Sequence, residues 1–409
     1  MNIGINNLKT IAGKQFLNKK FETDKIFEYL YLGILALFWI YFFGQTIMYP
    51  EGWPQINYSV IRALLIVYVV FKYAYNKDAI FDIKESILAL LLLVSFILVS
   101  LSAGYSELFD IAFLIIGAKN ISYINILKLY IALKVPLIIT TIIGSQLGII
   151  ENLIYNQDGR VRESYGFIYP TDFAAQVFFA VAAWVLIRQI KMSYAELAGM
   201  LIIAAFLMIH CDARCSVTSI LLTVIGVVSQ KAFRNQRIAK YRKRFSLKNA
   251  YVIAVIIPYI CASLMIFLCR FYDQNNTFMA FINSVTSQRL KFGKRTFDSY
   301  NVPLFGQYIE MAGNGGSIQK PAKYTFIDCS YINILMRFGF VVFIAVMLLL
   351  NFVALKYCQN MFVLGILTLI CIHSIMEHHL LDIHYNFILL LPFCLVEQKE
   401  NTAKIPMTG

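Results

Sequence analysis

One feature constrains this chain more than any other: long uncharged apolar runs recur along it. LALLLLVSFILVSLSA (88–103) and FVVFIAVMLLLNFVAL (340–355) are two of them. A helix crosses a bilayer with about 20 mostly apolar residues, and no water is available there to satisfy any other open backbone. The chain is 59% hydrophobic and 14% charged over 409 residues, against about 45–50% apolar in ordinary soluble domains. The expected fold is an all-α polytopic membrane protein. About twelve transmembrane helices are expected, centred near residues 37, 66, 94, 112, 138, 180, 202, 222, 259, 343, 366 and 388. The fourth, LFDIAFLIIGA, is short and is expected to be tilted or partly re-entrant, and the last two are also short. No internal repeat and no separately folding soluble domain is apparent, so 1–409 reads as one integral-membrane domain.

Basic residues hold loops on the cytoplasmic side of a membrane. The formal net charge of +13 therefore points to topology and not to a nucleic-acid partner. Lys9, Lys14, Lys19, Lys20 and Lys25 precede the first span, and Lys72, Lys77 and Lys84 follow the second. The segment 230–249 contains QKAFRNQRIAKYRKRFSLK, with eight basic residues and no acid. These segments are expected inside, with both termini cytoplasmic and the protein in a bacterial cytoplasmic membrane. The first 25 residues lack an apolar core followed by a small-residue cleavage site, so the first span is expected to serve as an uncleaved signal. The eight cysteines are scattered, without a CxxC pair. They read as small buried hydrophobes and not as a disulfide frame or metal site.

That orientation places three segments outside: 149–170, the link HCDAR, and the long stretch 270–327, whose mix of Phe, Tyr, Pro and Gly is expected to fold over the membrane core. Outside arginines run against the charge rule, so each needs another reason to be there. The five are Arg160, Arg162, Arg214, Arg289 and Arg295. A guanidinium is always charged and presents a planar fork of donors suited to phosphate. In GRVRESYGFIYPTDFAAQ, two arginines precede an aromatic cluster and Pro170, which marks a helix start with Thr171 or Asp172 as its cap. Such a start adds partial positive charge beside Arg160 and Arg162, which suits an anion. Tyr165, Phe167 and Tyr169 suit an interfacial belt or stacking on sugar rings. Arg214 pairs locally with Asp212 or serves an anion site.

HSIMEHHLLDIH gathers four of the five histidines, His373, His378, His379 and His384, with Glu377 and Asp382. The spacing matches no HExxH pattern, so neither a metal nor a cofactor is expected. A polar cluster, or a general base with His378 first, is the alternative. The chain shows no Gly-rich phosphate loop, Walker lysine or DxD motif, which argues against a nucleotide-sugar donor.

Four segments in order carry a resemblance. RESYGFIYPTDFA resembles the arginine-then-GF-then-HPN-type segment of the polysaccharide polymerase and O-antigen ligase superfamily. DARCSVTSILL resembles its helix start after an arginine, and SQRLKFGKRTFDSYNVPLFGQYI its outer-loop arginine and PLFG turn. FIDCSYINILMRFGFV resembles the start of its next helix, and IAFLIIGAKNISY is similar to capsule and exopolysaccharide polymerases of this group. The chain departs at Thr171-Asp172 in place of the asparagine after the proline, at Asp328-Cys329 in place of the ligase His-Asn pair, and at Tyr308 in place of a second glycine. These departures favour repeat-unit polymerases over ligases.

The resemblance implies a GT-C-like membrane glycosyltransferase architecture and a donor glycan on undecaprenyl pyrophosphate, passed to the free end of another lipid-linked unit at the outer face. It implies a pyrophosphate site among Arg160, Arg162, Arg214, Arg289 and Arg295, aided by Tyr165 and Asp172. The catalytic roles then fall to Arg162, Arg214, Asp328, Glu377 and His378. The implied partners are the lipid-linked donor and acceptor, the bilayer, a chain-length regulator and a flippase. A ligase with another acceptor, or a lipid-linked oligosaccharide transporter, is the alternative; transporters more often show repeated halves and charges deep in the spans.

Overall fold

The computed structural model describes residues 24–49, 57–76, 80–157, 159–234, 247–319, 321 and 323–396. The first four N-terminal lysines and most of the basic stretch 230–249 lie outside the described residues. Among the described residues, nine helices are long and apolar enough to cross a membrane. They are α1 (Asp24–Gly44), α2 (Tyr58–Tyr75), α3 (Ile83–Ala103), α5 (Tyr123–Gln146), α6 (Pro170–Arg188), α7 (Tyr194–Phe206, continued by a π turn to Cys211), α8 (Arg214–Arg234), α9 (Leu247–Arg270) and the run from α12 (Ser330–Asn333) through a π turn into α13 (Gly339–Lys356).

The ends of these helices are written in the sequence. Asp82 and Glu85 form a reciprocal capping box that opens α3, and Ser193 and Glu196 do the same for α7. Asn57 and Asn360 cap α2 and α14 (Met361–His373). Outward faces are apolar: on α3, Ile87, Leu90, Val94, Leu98 and Leu101 are all exposed. Water would not tolerate such a belt, whereas lipid does. Burial is uneven between helices. About two thirds of α6 (67%) and most of the α12–α13 run (61%) are covered, against 28–39% for the other spans. Those two therefore form the centre, and the rest ring them.

Three of the expected twelve spans are not among these nine. The fourth is α4 (Ser106–Gly117), 12 residues long and so about 18 Å at the helical rise, short of an apolar layer about 30 Å thick. It is walled by protein and carries a buried Asp110, bound by Arg62 at 2.7 Å and by the Tyr58 hydroxyl at 2.6 Å. The eleventh is α14, with 13 residues. The twelfth is a seven-residue 3₁₀ turn, Phe387–Phe393, buried throughout. Apolar composition alone does not separate a lipid-facing helix from a short one enclosed by others.

The segment 149–170 holds a hairpin where only a loop was expected. β1 (Ile154–Gln157) pairs antiparallel with β2 (Arg160–Glu163), Tyr155 facing Arg162. The long stretch 270–327 holds α10 (Thr277–Val285) and α11 (Arg289–Ser299), with α10 packed on α11 and α11 on α9. Gly293 lets α11 touch α9 closely: a Cβ there would lie 2.4 Å from the Cys269 Sγ.

The PLFG turn and the RFGF stretch are two halves of one joint. Gln307 donates its N–H to the Arg337 carbonyl at 2.9 Å, and Phe340 donates to that of Pro303 at 2.9 Å. Gly339 has φ of +87°, and a Cβ there would sit 2.5 Å from the Gly306 nitrogen. Gly339→Ala therefore meets both a disfavoured backbone conformation and a backbone clash. It is expected to lose roughly 2–4 kcal/mol of stability, read as a lowered melting temperature in detergent, while alanine at the open Gly365 is expected to change little.

Candidate active site

Charged groups collect at the end of the bundle where α6, α8, α11 and α12 start. β2 delivers Arg162, and its pairing with β1 fixes where that residue points. Arg162 is buried (8% exposed). Its Nε donates to the Cys211 carbonyl at 2.9 Å and its Nη1 to the Tyr169 hydroxyl at 3.3 Å. The guanidinium also lies 5.3 Å from the centre of the Tyr169 ring. These bonds use two of the five donors an arginine carries.

α11 starts with Arg289. Its Nε donates to the Met376 carbonyl at 3.3 Å and its Nη1 to that of Ser287 at 3.1 Å. Its Nη2 lies 3.5 Å from an Asp328 oxygen, and the other Asp328 oxygen accepts from the Tyr324 hydroxyl at 2.9 Å. Burial works against the charge on Arg289, but Asp328 and Glu377 outweigh it and hold its pKa above the usual arginine range.

Glu377 sits on an irregular segment between α14 and the 3₁₀ turn. That segment is pinned by Ser330 of the DCSY stretch. The Ser330 Oγ donates to the Glu377 carbonyl at 2.5 Å and accepts from the Leu380 N–H at 3.1 Å, while its own N–H donates to the Ser374 carbonyl. Burial pushes the Glu377 carboxyl up to about 7; Arg289 opposes the rise, Asp328 adds to it, and Arg162 opposes it. Arg289 ties Asp328 to this segment, through the ion pair at 3.5 Å and its bond to the carbonyl of Met376, the residue before Glu377, and the Arg162 charge also acts on Glu377.

Asp172 borders the same neighbourhood from the third residue of α6. It does not cap the helix as expected. The chain enters through Tyr169 in an extended conformation, with Pro170 at the first helical position and no side-chain cap. Asp172 lies 3.8 Å from His379 Nε2. His379 packs its ring on Tyr385 and next to His378, with centroids 3.8 and 4.1 Å apart. Burial lowers the fully enclosed His379 to about 3, while the His378 and Asp382 side chains remain 26% and 36% exposed.

Sequence reasoning anticipated Arg162, Arg289, Asp328, Glu377, His378 and Asp172, and the structure brings these together. It does not bring in the other four. Arg160 and Arg214 both bind Asp212, at 2.9 and 2.8 Å, and the Arg214 side chain is 61% exposed. The local Asp212–Arg214 pairing is thus the arrangement present. Arg295 donates to the Tyr324 carbonyl at 3.1 Å and lines a shallow cavity with Phe292 and Tyr300. Tyr165 turns away at a φ of +52° and wedges between Phe173, Phe206 and His210. Its hydroxyl is raised to about 12 by burial and then by the Glu163 charge. An exposed ion pair contributes about 0–1 kcal/mol, so Arg214→Ala is expected to alter turnover less than about threefold and leave the melting temperature nearly unchanged.

Sequence reasoning left Tyr169, Tyr324 and Asp382 outside the site. Tyr169 was legible as one of three aromatics suited to a belt or to stacking on sugar, without any sign that it binds Arg162, and nothing in the sequence marks Tyr324. Asp382 was visible in the histidine-rich segment, without any sign of which histidine it faces.

Comparison of the chain with protein-family models, curated proteins and solved structures found no match.

Proposed function

We propose that this protein is a membrane glycosyltransferase that polymerises undecaprenyl-pyrophosphate-linked repeat units. One observation carries the reading most: a buried carboxylate, Glu377, shares its surroundings with Arg162, Arg289 and Asp328 at one end of a membrane bundle. Glycan transfer from a pyrophosphate needs those two kinds of group. The acceptor hydroxyl attacks the anomeric carbon and gives its proton to the Glu377 carboxylate, the general base. The bond from that carbon to the pyrophosphate oxygen breaks, and the oxygen leaves with the electron pair. Arg162 and Arg289 offer N–H donors to the growing negative charge. Asp328 holds Arg289 and is itself held by Tyr324.

The finer assignments belong to the same proposal. The site end faces outward, both termini are cytoplasmic, and the architecture is of the GT-C type. The basic residues along the chain and the four-segment resemblance support this orientation and this donor. The alternative acceptor of a ligase fits less well, because Asp328-Cys329 stands where ligases carry His-Asn. A transporter would more often show charges along its spans. Here most of the chemistry-bearing groups gather at one end, although Lys134 is buried midway along α5, where it donates to the Gln176 Oε1 at 3.0 Å, and the opposite end holds Lys119 and Lys356 with Glu85.

The test is chain extension by purified protein given only lipid-linked repeat unit. A ladder of products supports the reading, and a single product on a non-lipid acceptor points to the ligase.

A further inference from the structure

We propose that Asp172, His378 and His379 form a binding site for one divalent transition-metal ion of the zinc, manganese or cobalt class. The inference rests on the geometry of these side chains and stands independently of the polymerase reading. Each residue offers one donor atom, and the three atoms lie within 4.8 Å of one another. They come from separate parts of the chain, the first turn of α6 and the irregular segment after α14, so helical spacing alone does not account for their meeting.

The observation that points to a ligand is His379 itself. Its side chain is 1% exposed. Its Nε2 is buried with no hydrogen-bond partner, and the nearest carboxylate oxygen, Asp172 Oδ1, is 3.8 Å away. That is too long for a hydrogen bond. A buried nitrogen without a partner costs roughly 1–3 kcal/mol, and a gap of that width between two donors is what an ion bridges. The other ring nitrogen, Nδ1, lies 3.5 Å from Asp382 Oδ2. With its proton directed to Asp382, the lone pair sits on Nε2 and faces Asp172. A carboxylate behind a histidine is the usual arrangement around a ligating imidazole, where it fixes the tautomer and the ring orientation. The Tyr385 and His378 rings on either side restrict that ring further.

The donor set is two imidazole nitrogens and one carboxylate oxygen, which suits zinc, manganese or cobalt better than calcium or magnesium. Around a tetrahedral zinc, donors at about 2.1 Å stand about 3.4 Å from each other. Closing from the present spread requires movement of roughly an ångström, within reach of the half-buried His378 and Asp172. Glu377, Asp328 and Asp382 act electrostatically on Asp172, while Lys134 acts on His379 and Arg337 on His378, so the site sets three further carboxyl groups against two nearby cations.

The experiment uses the full chain in nanodiscs, carrying no polyhistidine tag and stripped with EDTA. Zinc binding is measured by equilibrium dialysis with elemental analysis, and cobalt by its visible absorption. The expected result is one ion per chain, with a cobalt spectrum of nitrogen and oxygen ligation. Asp172→Asn, His378→Gln and His379→Gln are each expected to weaken zinc at least tenfold. Asp382→Asn is expected to weaken it about 10–100-fold, and His210→Ala to leave it unchanged. A wild-type protein that binds no zinc overturns the proposal. So does binding that survives all three ligand substitutions in variants whose size-exclusion profile and melting temperature match the wild type. If one variant does not fold, the other two carry the comparison.

Discussion

Glu377→Gln is expected to lower the rate of chain extension by about 10²–10⁴, the range supplied by a positioned general base. The substitution keeps the size and most hydrogen-bonding capacity of the side chain and removes its ability to take a proton. Glu377 is 4% exposed, and its main chain is held by Ser330, so the local fold is expected to survive. The melting temperature is the control. Initial rates at saturating and limiting lipid-linked unit separate the cases. A loss confined to kcat fits a base, while a loss confined to KM would assign Glu377 to binding and contradict its role as base. Asp328→Asn offers the comparison. It weakens the hold on Arg289 and the contact from Tyr324, so its effect is expected to be smaller and to act through Arg289.

Arg289→Ala is the second large effect. It removes the cation that faces Asp328 and acts on Glu377, along with donors to the Met376 and Ser287 carbonyls. Two consequences follow. Loss of a donor to developing charge costs about 10²–10³ in rate. Loss of one partner from a buried ion pair costs roughly 3–5 kcal/mol of stability. Arg289→Lys separates them, because it keeps the charge without the planar fork. The lysine variant is expected to fold close to wild type and still lose most of its turnover, since a point charge does not reproduce two parallel N–H bonds to phosphate. A lysine variant with full activity would remove Arg289 from the proposed pyrophosphate site. Arg162→Ala is expected to resemble Arg289→Ala, whereas Arg214→Ala is not.

The contrast between Arg162 and Arg214 shows how far the sequence could be read. Both are arginines beside aromatic or small-residue helix starts, and both were candidates for an anion site, Arg214 with a local Asp212 pairing as its alternative. What separates them is the partner each finds. Arg162 is carried inward by a two-stranded hairpin that an RVRE stretch does not announce, because four residues with one buried position give little alternation to read. Arg214 has Asp212 two residues away, and a short local contact won over a distant one. Asp328 was legible from the resemblance and Glu377 from the histidine-rich segment, yet their meeting depends on Ser330 bridging segments 44 to 50 residues apart.

The helical class and the positions of the long spans were legible for the opposite reason. Apolar length is a local property, and caps such as Asp82, Ser193 and Asn360 mark its ends. Length failed where burial by neighbours replaces burial by lipid. α4 and the Phe387–Phe393 turn are as apolar as a span but are enclosed by other helices, so neither has to match the bilayer. The glycines of the PLFG and RFGF stretches were read as family features, and the structure gives their physical content as a close backbone joint.

The central claim is best tested by incubating purified wild-type protein with undecaprenyl-pyrophosphate-linked repeat unit and no other substrate, beside Arg162→Ala, Glu377→Gln and Arg214→Ala. The account predicts a ladder of lengthening products from the wild type and from Arg214→Ala, and none from folded Arg162→Ala or Glu377→Gln. A ladder of equal intensity from all four proteins, or none from a folded wild type while a known polymerase extends the same substrate, would contradict it.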